Sequence, residues 1–264
     1  MPEFISRGLR LKYLVQGEGT PFLFLHGLGG GIAQIRNTYK PIPGVRLITL
    51  DQQGHGGSDI CLDTYGFAAL AEDAAALADH LQITSFYLGG ISMGAAVSVN
   101  LALRYPKRVL GLALIRLAWT DRPMHPDIRR LYGVLAQFLE QDDREGFLRT
   151  HEYAFLSSLS AYTSGTFAAA FDDPASLKHY QKFLILPSCS PYDAAVQLKS
   201  IHVPAVVIAN RNDYVHPFEY GEYFAQNIPG ARLQEIPDKD SDPVGHTLAL
   251  NEHLKDFLPG GAEI

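Results

Sequence analysis

Apolar and polar positions fall into two kinds of block along this chain. Short apolar runs alternate with longer stretches in which apolar residues recur every three or four positions. Residues 4–15 alternate loosely about Arg7-Gly8 and predict a hairpin. Residues 21–25 are apolar without a break, as expected of a strand buried on both faces, and 45–50 form the next strand. Over residues 64–81, Phe67, Leu70, Ala74, Leu77 and Leu81 share one helical face, with Asp63 or Thr64 placed to cap its start. Phe86-Tyr87-Leu88 reads as a strand. Residues 95–105 are apolar almost all round and predict a buried helix ended by Pro106, and 109–115 form another strand. After a long interruption the alternation resumes. A strand over 203–209 is followed by a helix from near Pro217 to Asn227, a last strand over 232–236, a helix ending near Leu258, and a frayed tail. Strands alternating with helices predict a mostly parallel, doubly wound α/β sheet with helices on both faces.

The interruption spans residues 117–200. No strong strand pattern occurs there. Helical stretches carry many aromatic residues and are punctuated by Pro123, Pro126, Pro174, Pro187 and Pro191. This segment reads as a helical lid inserted into a discontinuous core domain of residues 1–116 and 201–264. Most of its aromatic residues are expected to form the lid's own core. Trp119, Tyr153, Phe155 and Phe183 are candidates for a minority that shape an apolar pocket.

Composition narrows the class. The chain has 264 residues, 47% hydrophobic, with a formal net charge of −6 and no lysine- or arginine-rich block. That size suits one large α/β domain, and the charge argues against nucleic acid or an anionic membrane as the main partner. No apolar run approaches a membrane span, and the N-terminus lacks the layout of a secretory signal. The two cysteines, Cys61 and Cys189, form neither a metal cluster nor a disulfide framework, so a cytoplasmic protein without a metal is expected.

Chemistry concentrates where strands end. Gly90-Ile91-Ser92-Met93-Gly94 is a G-x-S-x-G pattern between a predicted strand and a predicted helix. Short patterns of this kind also occur at ordinary turns, so context decides. A serine on so sharp a turn needs small neighbours two residues away on either side, and the glycines supply them. The Met93 N–H then lies at a helix start, where positive partial charge gathers. Upstream, His26-Gly27-Leu28-Gly29-Gly30-Gly31 follows a buried strand but fits neither dinucleotide nor P-loop spacing. It suits a close-approach loop whose Leu28 N–H serves as a second donor, with His26 pinning the loop rather than reacting. Asp51 is expected to bond the backbone of its own turn, and His55 beside it is a weak site candidate.

A serine hydroxyl needs a general base, and the base needs an orienting carboxylate. Ser92, Asp213 and His246 each follow a predicted strand, in that order. With His26-Gly27 upstream, the chain resembles the α/β-hydrolase family, specifically members with a helical lid after the sixth of eight strands. The resemblance covers nearly the whole chain but is poor across 117–200. It implies Ser92 as nucleophile, His246 as base, Asp213 as the carboxylate, and the Leu28 and Met93 N–H groups as oxyanion donors. It sets aside His253 as a helix-surface residue and His216 as too near Asp213 in sequence to be the base. Some relatives place the acid after the preceding strand, where this chain has Arg116; Asp172 and Asp193 are remote alternatives. Two departures stand out. Gln53 occupies a position where relatives commonly carry arginine, and the loop before His246 is long and acidic.

The activity implied is hydrolysis of a small carboxylic ester, thioester or lactone through an acyl-serine, without cofactor, with a small acyl compound as partner. Family members that dehalogenate alkanes or open epoxides carry aspartate where this chain has Ser92. The resemblance leaves open carbon–carbon hydrolysis of a vinylogous diketone, acyl transfer to another acceptor, and slow-turnover ligand reception. A histidine base implies a rate rising through about pH 6–7.

Overall fold

A computed structural model describes residues 1–260; the expected fraying of the tail beyond them lies outside the described residues. Eight strands, β1 (Glu3–Ser6), β2 (Leu9–Gln16), β3 (Thr20–Leu25), β4 (Val45–Leu50), β5 (Phe86–Ile91), β6 (Val109–Ile115), β7 (Ala205–Ala209) and β8 (Arg232–Glu235), form one sheet. Their order is β1-β2-β4-β3-β5-β6-β7-β8. β2 is antiparallel to β1 and β4, and every later pairing is parallel. The hairpin turns at Arg7 and Gly8, both at positive φ, which suits the twist of the strands it joins.

The central strands β3, β5 and β6 bury side chains on both faces, as unbroken apolar runs require. On one face lie α1 (Ile32–Thr38) and α11 (Pro243–Phe257), whose Ile35, Leu250 and Leu254 pack on Phe22, Phe24, Ile91 and Ile208. On the other lie α2 (Phe67–His80), α3 (Met93–Arg104) and α10 (Phe218–Asn227), packed on Leu23, Leu25, Leu88, Leu112 and Val207. α2 starts later than its periodicity suggests. Residues Leu62–Thr64 form a separate 3-10 turn, so neither Asp63 nor Thr64 caps the helix, and Gly66 precedes it without a side-chain cap.

Between β6 and β7 the chain forms six helices, all but the first short: α4 (Pro126–Glu140), α5 (Arg144–Leu148), α6 (His151–Leu159), α7 (Ala161–Ala169), α8 (Pro174–Lys178) and α9 (Lys182–Ile185). They make a lid inserted after the sixth strand. Side-chain caps start five of them: His125, Asp143, Thr150, Ser160 and Asp173 each accept a first-turn N–H, which helps these helices begin. The lid's inner residues, among them Leu131, Leu135, Phe147, Leu156, Phe167 and Phe183, are continuous with the larger core. Among the described residues no helix is long and apolar enough to cross a membrane.

Candidate active site

Ser92 stands at the carboxyl end of β5 with φ 54° and ψ −111°, immediately before α3. Its own N–H is held by the Ile115 carbonyl at 2.9 Å. Side chains rarely adopt this conformation, and strain of that kind persists where the surroundings enforce it. Here they do: a Cβ on Gly90 would lie 2.1 Å from the Gly94 carbonyl carbon, and one on Gly94 would lie 2.2 Å from the Leu25 carbonyl oxygen. The turn therefore tolerates no side chain at either position, and the Ser92 hydroxyl is held over the sheet edge.

The histidine beside that hydroxyl is His216. Its Nε2 lies 2.9 Å from Ser92 Oγ, and its Nδ1 lies 3.0 Å from both carboxylate oxygens of Asp213. The loop after β7 produces this arrangement. Asp213 Oδ1 accepts the N–H groups of Val215 and His216, each at 3.1 Å, which folds the chain so that the ring at 216 returns onto the carboxylate at 213. Closeness in sequence is thus what brings the pair together, contrary to the expectation that three residues' separation excludes it. A carboxylate only accepts, so Nδ1 carries the proton and Nε2 is left to accept from the serine.

His246 is placed differently from the expectation that it is the base. The final helix begins at Pro243, with Asp242 accepting the Gly245 N–H at 2.7 Å, so the acidic loop is shorter than the sequence suggests. His246 therefore sits inside the first turns of α11. Its ring is buried and its Nδ1 lies 2.7 Å from the Pro237 carbonyl. No hydrogen bond joins it to Ser92 or Asp213 among the described residues. Burial, opposed by the bond to Pro237 and reinforced by Lys239 and Arg116, lowers its pKa to about 4.

Arg116 completes the cluster. It follows β6 at positive φ, and its guanidinium bonds Asp213 Oδ2 through Nε at 3.0 Å and through Nη2. Nη2 also lies 3.2 Å from His216 Nδ1. Burial alone would raise the Asp213 pKa, but the His216 ring and Arg116 together hold it well below the carboxylate range. His216 is itself lowered, first by burial and then by Arg116, with Asp213 opposing.

The glycine-rich loop faces the serine from β3. His26 is wholly buried; its Nδ1 donates to Gly27 O at 2.8 Å and its Nε2 accepts from the Gln52 N–H at 3.0 Å, tying this loop to the one after β4. His55 accepts from the Gly29 N–H at 3.1 Å. Asp51 accepts from the N–H groups of Ile32 and Gly57. Gln53, at the position of the familial arginine, is buried against Asp73 and the Cys61 N–H. The N–H groups of Leu28 and Met93 have no protein partner among the described residues.

A cavity of about 70 Å³ adjoins Ser92. Leu28, Arg116, Tyr132, Tyr162, Thr163, Thr166, Phe167, His216 and Lys239 are among the residues that line it. The four aromatic residues expected in the pocket lie elsewhere. Trp119 is wholly buried against Phe67, and Tyr153 packs edge-on to Phe147. Phe155 packs on Tyr214 at the surface, and Phe183 stacks behind Tyr132. Tyr162 and Phe167 take the pocket positions because α7 is the lid helix pinned to the core loop. Asp240 accepts from Ser160 Oγ and from the Tyr162 N–H at 2.8 Å. The sequence carries one clue to His216, an Asp-x-x-His spacing directly after a strand; Arg116, Lys239 and Tyr162 have none.

Known proteins share this architecture. The chain is 26% identical over 258 residues to the AB hydrolase superfamily protein YisY of Bacillus subtilis strain 168, covering 90% of this chain and 89% of that one. It is 27% identical, over 93% of this chain and 90% of the other, to a 2-hydroxy-6-oxononadienedioate/2-hydroxy-6-oxononatrienedioate hydrolase of Comamonas testosteroni. A solved structure described as Est816, an N-acyl homoserine lactone degrading enzyme, superposes with a TM-score of 0.75 at 25% identity, covering 97% of this chain and 100% of that chain. Residues 20–241 match the model of the alpha/beta hydrolase fold, and the chain belongs to that family.

Proposed function

We propose that this protein is a serine hydrolase of small acyl compounds, with Ser92 as nucleophile, His216 as general base and Asp213 as its orienting carboxylate. The observation that carries this reading is the unbroken run of contacts from Ser92 Oγ through the His216 ring to Asp213. His216 Nε2 takes the serine proton as Oγ bonds to the substrate's carbonyl carbon. The resulting oxyanion is held by the Leu28 and Met93 N–H groups, each worth about 3 kcal/mol in the transition state. His216 returns the proton to the leaving oxygen, the C–O bond breaks, and an acyl-Ser92 remains. Water, deprotonated by the same nitrogen, attacks that ester, and the acid product and the serine hydroxyl are released. The small cavity favours short acyl groups or compact lactones.

A second reading keeps His246 as the base. Two observations favour it: its Nδ1 is pinned by Pro237 O, which leaves Nε2 unprotonated, and Asp213 is near enough to influence its charge. Alanine variants separate the readings on p-nitrophenyl acetate and butyrate. Ser92→Ala and His216→Ala are expected to lower kcat by about a thousandfold or more, while His246→Ala costs less than tenfold. The reverse ranking of the two histidine variants would move the base to His246, and full activity in Ser92→Ala would end the mechanism. Lactones and a coloured dienol diketone belong in the same screen, because relatives are named for lactone and dienoate hydrolysis.

A further inference from the structure

Lys239 lines the cavity at Ser92 and, among the described residues, has no carboxylate partner. Its ammonium donates to the Tyr162 hydroxyl at 2.9 Å and stands 4.5 Å from the centre of that ring. Neighbouring carboxylates are turned to other work. Asp238 accepts from the N–H groups of Asp240 and Ser241 and from Ser241 Oγ. Asp240 is spent on Ser160 and the Tyr162 N–H. Asp213 is committed to Arg116 and His216. Among the described residues no ion pair involves Lys239, whereas the other cation of the cavity wall, Arg116, is paired.

A half-buried ammonium without a counterion is costly, and an aromatic ring offsets that cost only in part. The Nζ has hydrogens to spare after its bond to Tyr162, and the Tyr162 O–H is itself free to donate. Thr163 and Thr166 line the same wall, the Thr166 hydroxyl donating to the Tyr162 carbonyl at 3.1 Å. Burial, helped by Arg116, pulls Lys239 below the ordinary lysine value, as expected where a cation lacks an anion. Lys239 and Tyr162 share with Ser92 the lining of one small cavity of about 70 Å³.

We propose that Lys239 and the Tyr162 hydroxyl form a carboxylate-binding subsite beside Ser92, so that preferred substrates carry an anionic group a few bonds from the scissile carbonyl. The proposal deepens, and rests on, the reading of Ser92 as nucleophile. Half-esters of short dicarboxylic acids fit it: the ester carbonyl sits at Ser92 and the distal carboxylate bonds Nζ.

The test compares mono-p-nitrophenyl succinate with p-nitrophenyl butyrate, matched in chain length. Wild-type protein is expected to favour the succinate in kcat/KM. Lys239→Met should lower that charged-over-neutral ratio by about ten- to a hundredfold, chiefly through KM, and Lys239→Arg should retain most of it. A purely structural tie between loop and lid would depress both esters alike and leave the ratio unmoved, which overturns the subsite. Succinate itself should inhibit butyrate hydrolysis competitively in the wild-type protein and bind Ser92→Ala protein in a calorimeter; absence of both overturns the proposal even if Lys239→Met does not fold. Ser92-dependent hydrolysis without charge preference would sink the subsite alone. Succinate binding to a protein that hydrolyses no ester would sink only the mechanism.

Discussion

At the residue scale the unusual feature is Arg116 against the carboxylate that orients the histidine. An aspartate steadies a histidine base by favouring its protonated form, and a guanidinium on the same carboxylate takes back part of that help. Arg116 Nη2 also approaches His216 Nδ1 directly. Both effects, added to burial, lower the His216 pKa. A base must be neutral to accept the serine proton, so the lower value extends activity toward acid. The acid limb of kcat/KM against pH is therefore expected below the ordinary histidine value of about 6.5 rather than across about pH 6–7. Arg116→Gln should move that limb upward, because removing a nearby positive charge makes the imidazolium easier to form. A limb that stays in place would show that Arg116 does not act through the histidine. The same residue marks a boundary of what the sequence could tell. The turns at Ser92 and Asp213 could be placed from the sequence because strand periodicity ends at each. The contacts of His216 and Arg116 could not, because they depend on side-chain directions set by one Asx turn and one residue at positive φ.

At the element scale the elbow between β5 and α3 concentrates strain in five residues. Its two glycines face backbone atoms, not flexible side chains, so a methyl group cannot be absorbed by a rotamer change. Gly94→Ala would press on Leu25 and His26, the strand end and loop that carry the Leu28 N–H. It should cost about 1–3 kcal/mol in urea unfolding or more, and lower kcat by over tenfold through displacement of the proposed oxyanion donors. An equally active, equally stable Gly94→Ala protein would mean that the elbow relaxes freely. Regular elements such as this one were largely readable in advance. β4 and β6 fall where the apolar runs place them, since a strand buried on both faces leaves little freedom in its pattern. The lid was readable only as helical. Its helices share aromatic residues among themselves, so periodicity names a buried face without naming what that face covers. Tyr162 and Phe167 reach the cavity through the Asp240 contact with α7, a link across 78 residues that no local pattern encodes.

At the scale of the whole molecule, the active-site edge is built around histidines buried in neutral form. His26 and His246 each have a pKa lowered to about 4, first by burial, and His55 is lowered as well. In the unfolded chain these rings titrate near 6.5, so below that pH the unfolded state binds protons that the folded state refuses. Their contribution to stability is complete above about pH 6.5 and is lost as pH falls toward 4, with a slope near 1.4 kcal/mol per pH unit for each ring. For His26 alone the loss over that window is about 3 kcal/mol, a sizeable part of the stability of an ordinary domain. Urea midpoints should accordingly be level between pH 7 and 8 and drop steeply between pH 6.5 and 5. His26→Gln should be less stable at pH 7, because the ring's bonds to Gly27 O and the Gln52 N–H are lost. Its further decline between pH 6.5 and 5 should be smaller than that of the wild-type protein by about 2 kcal/mol. The lost bonds lower stability equally at every pH and only the lost titration flattens the slope, so a variant that is merely weaker, with the wild-type slope intact, would remove His26 from the set of titrating groups. His26 ties the loop that carries Leu28 to the turn beneath the lid. Acid should therefore loosen the Leu28 side of the pocket as it destabilises the fold, and activity below pH 5 should fall together with the urea midpoint.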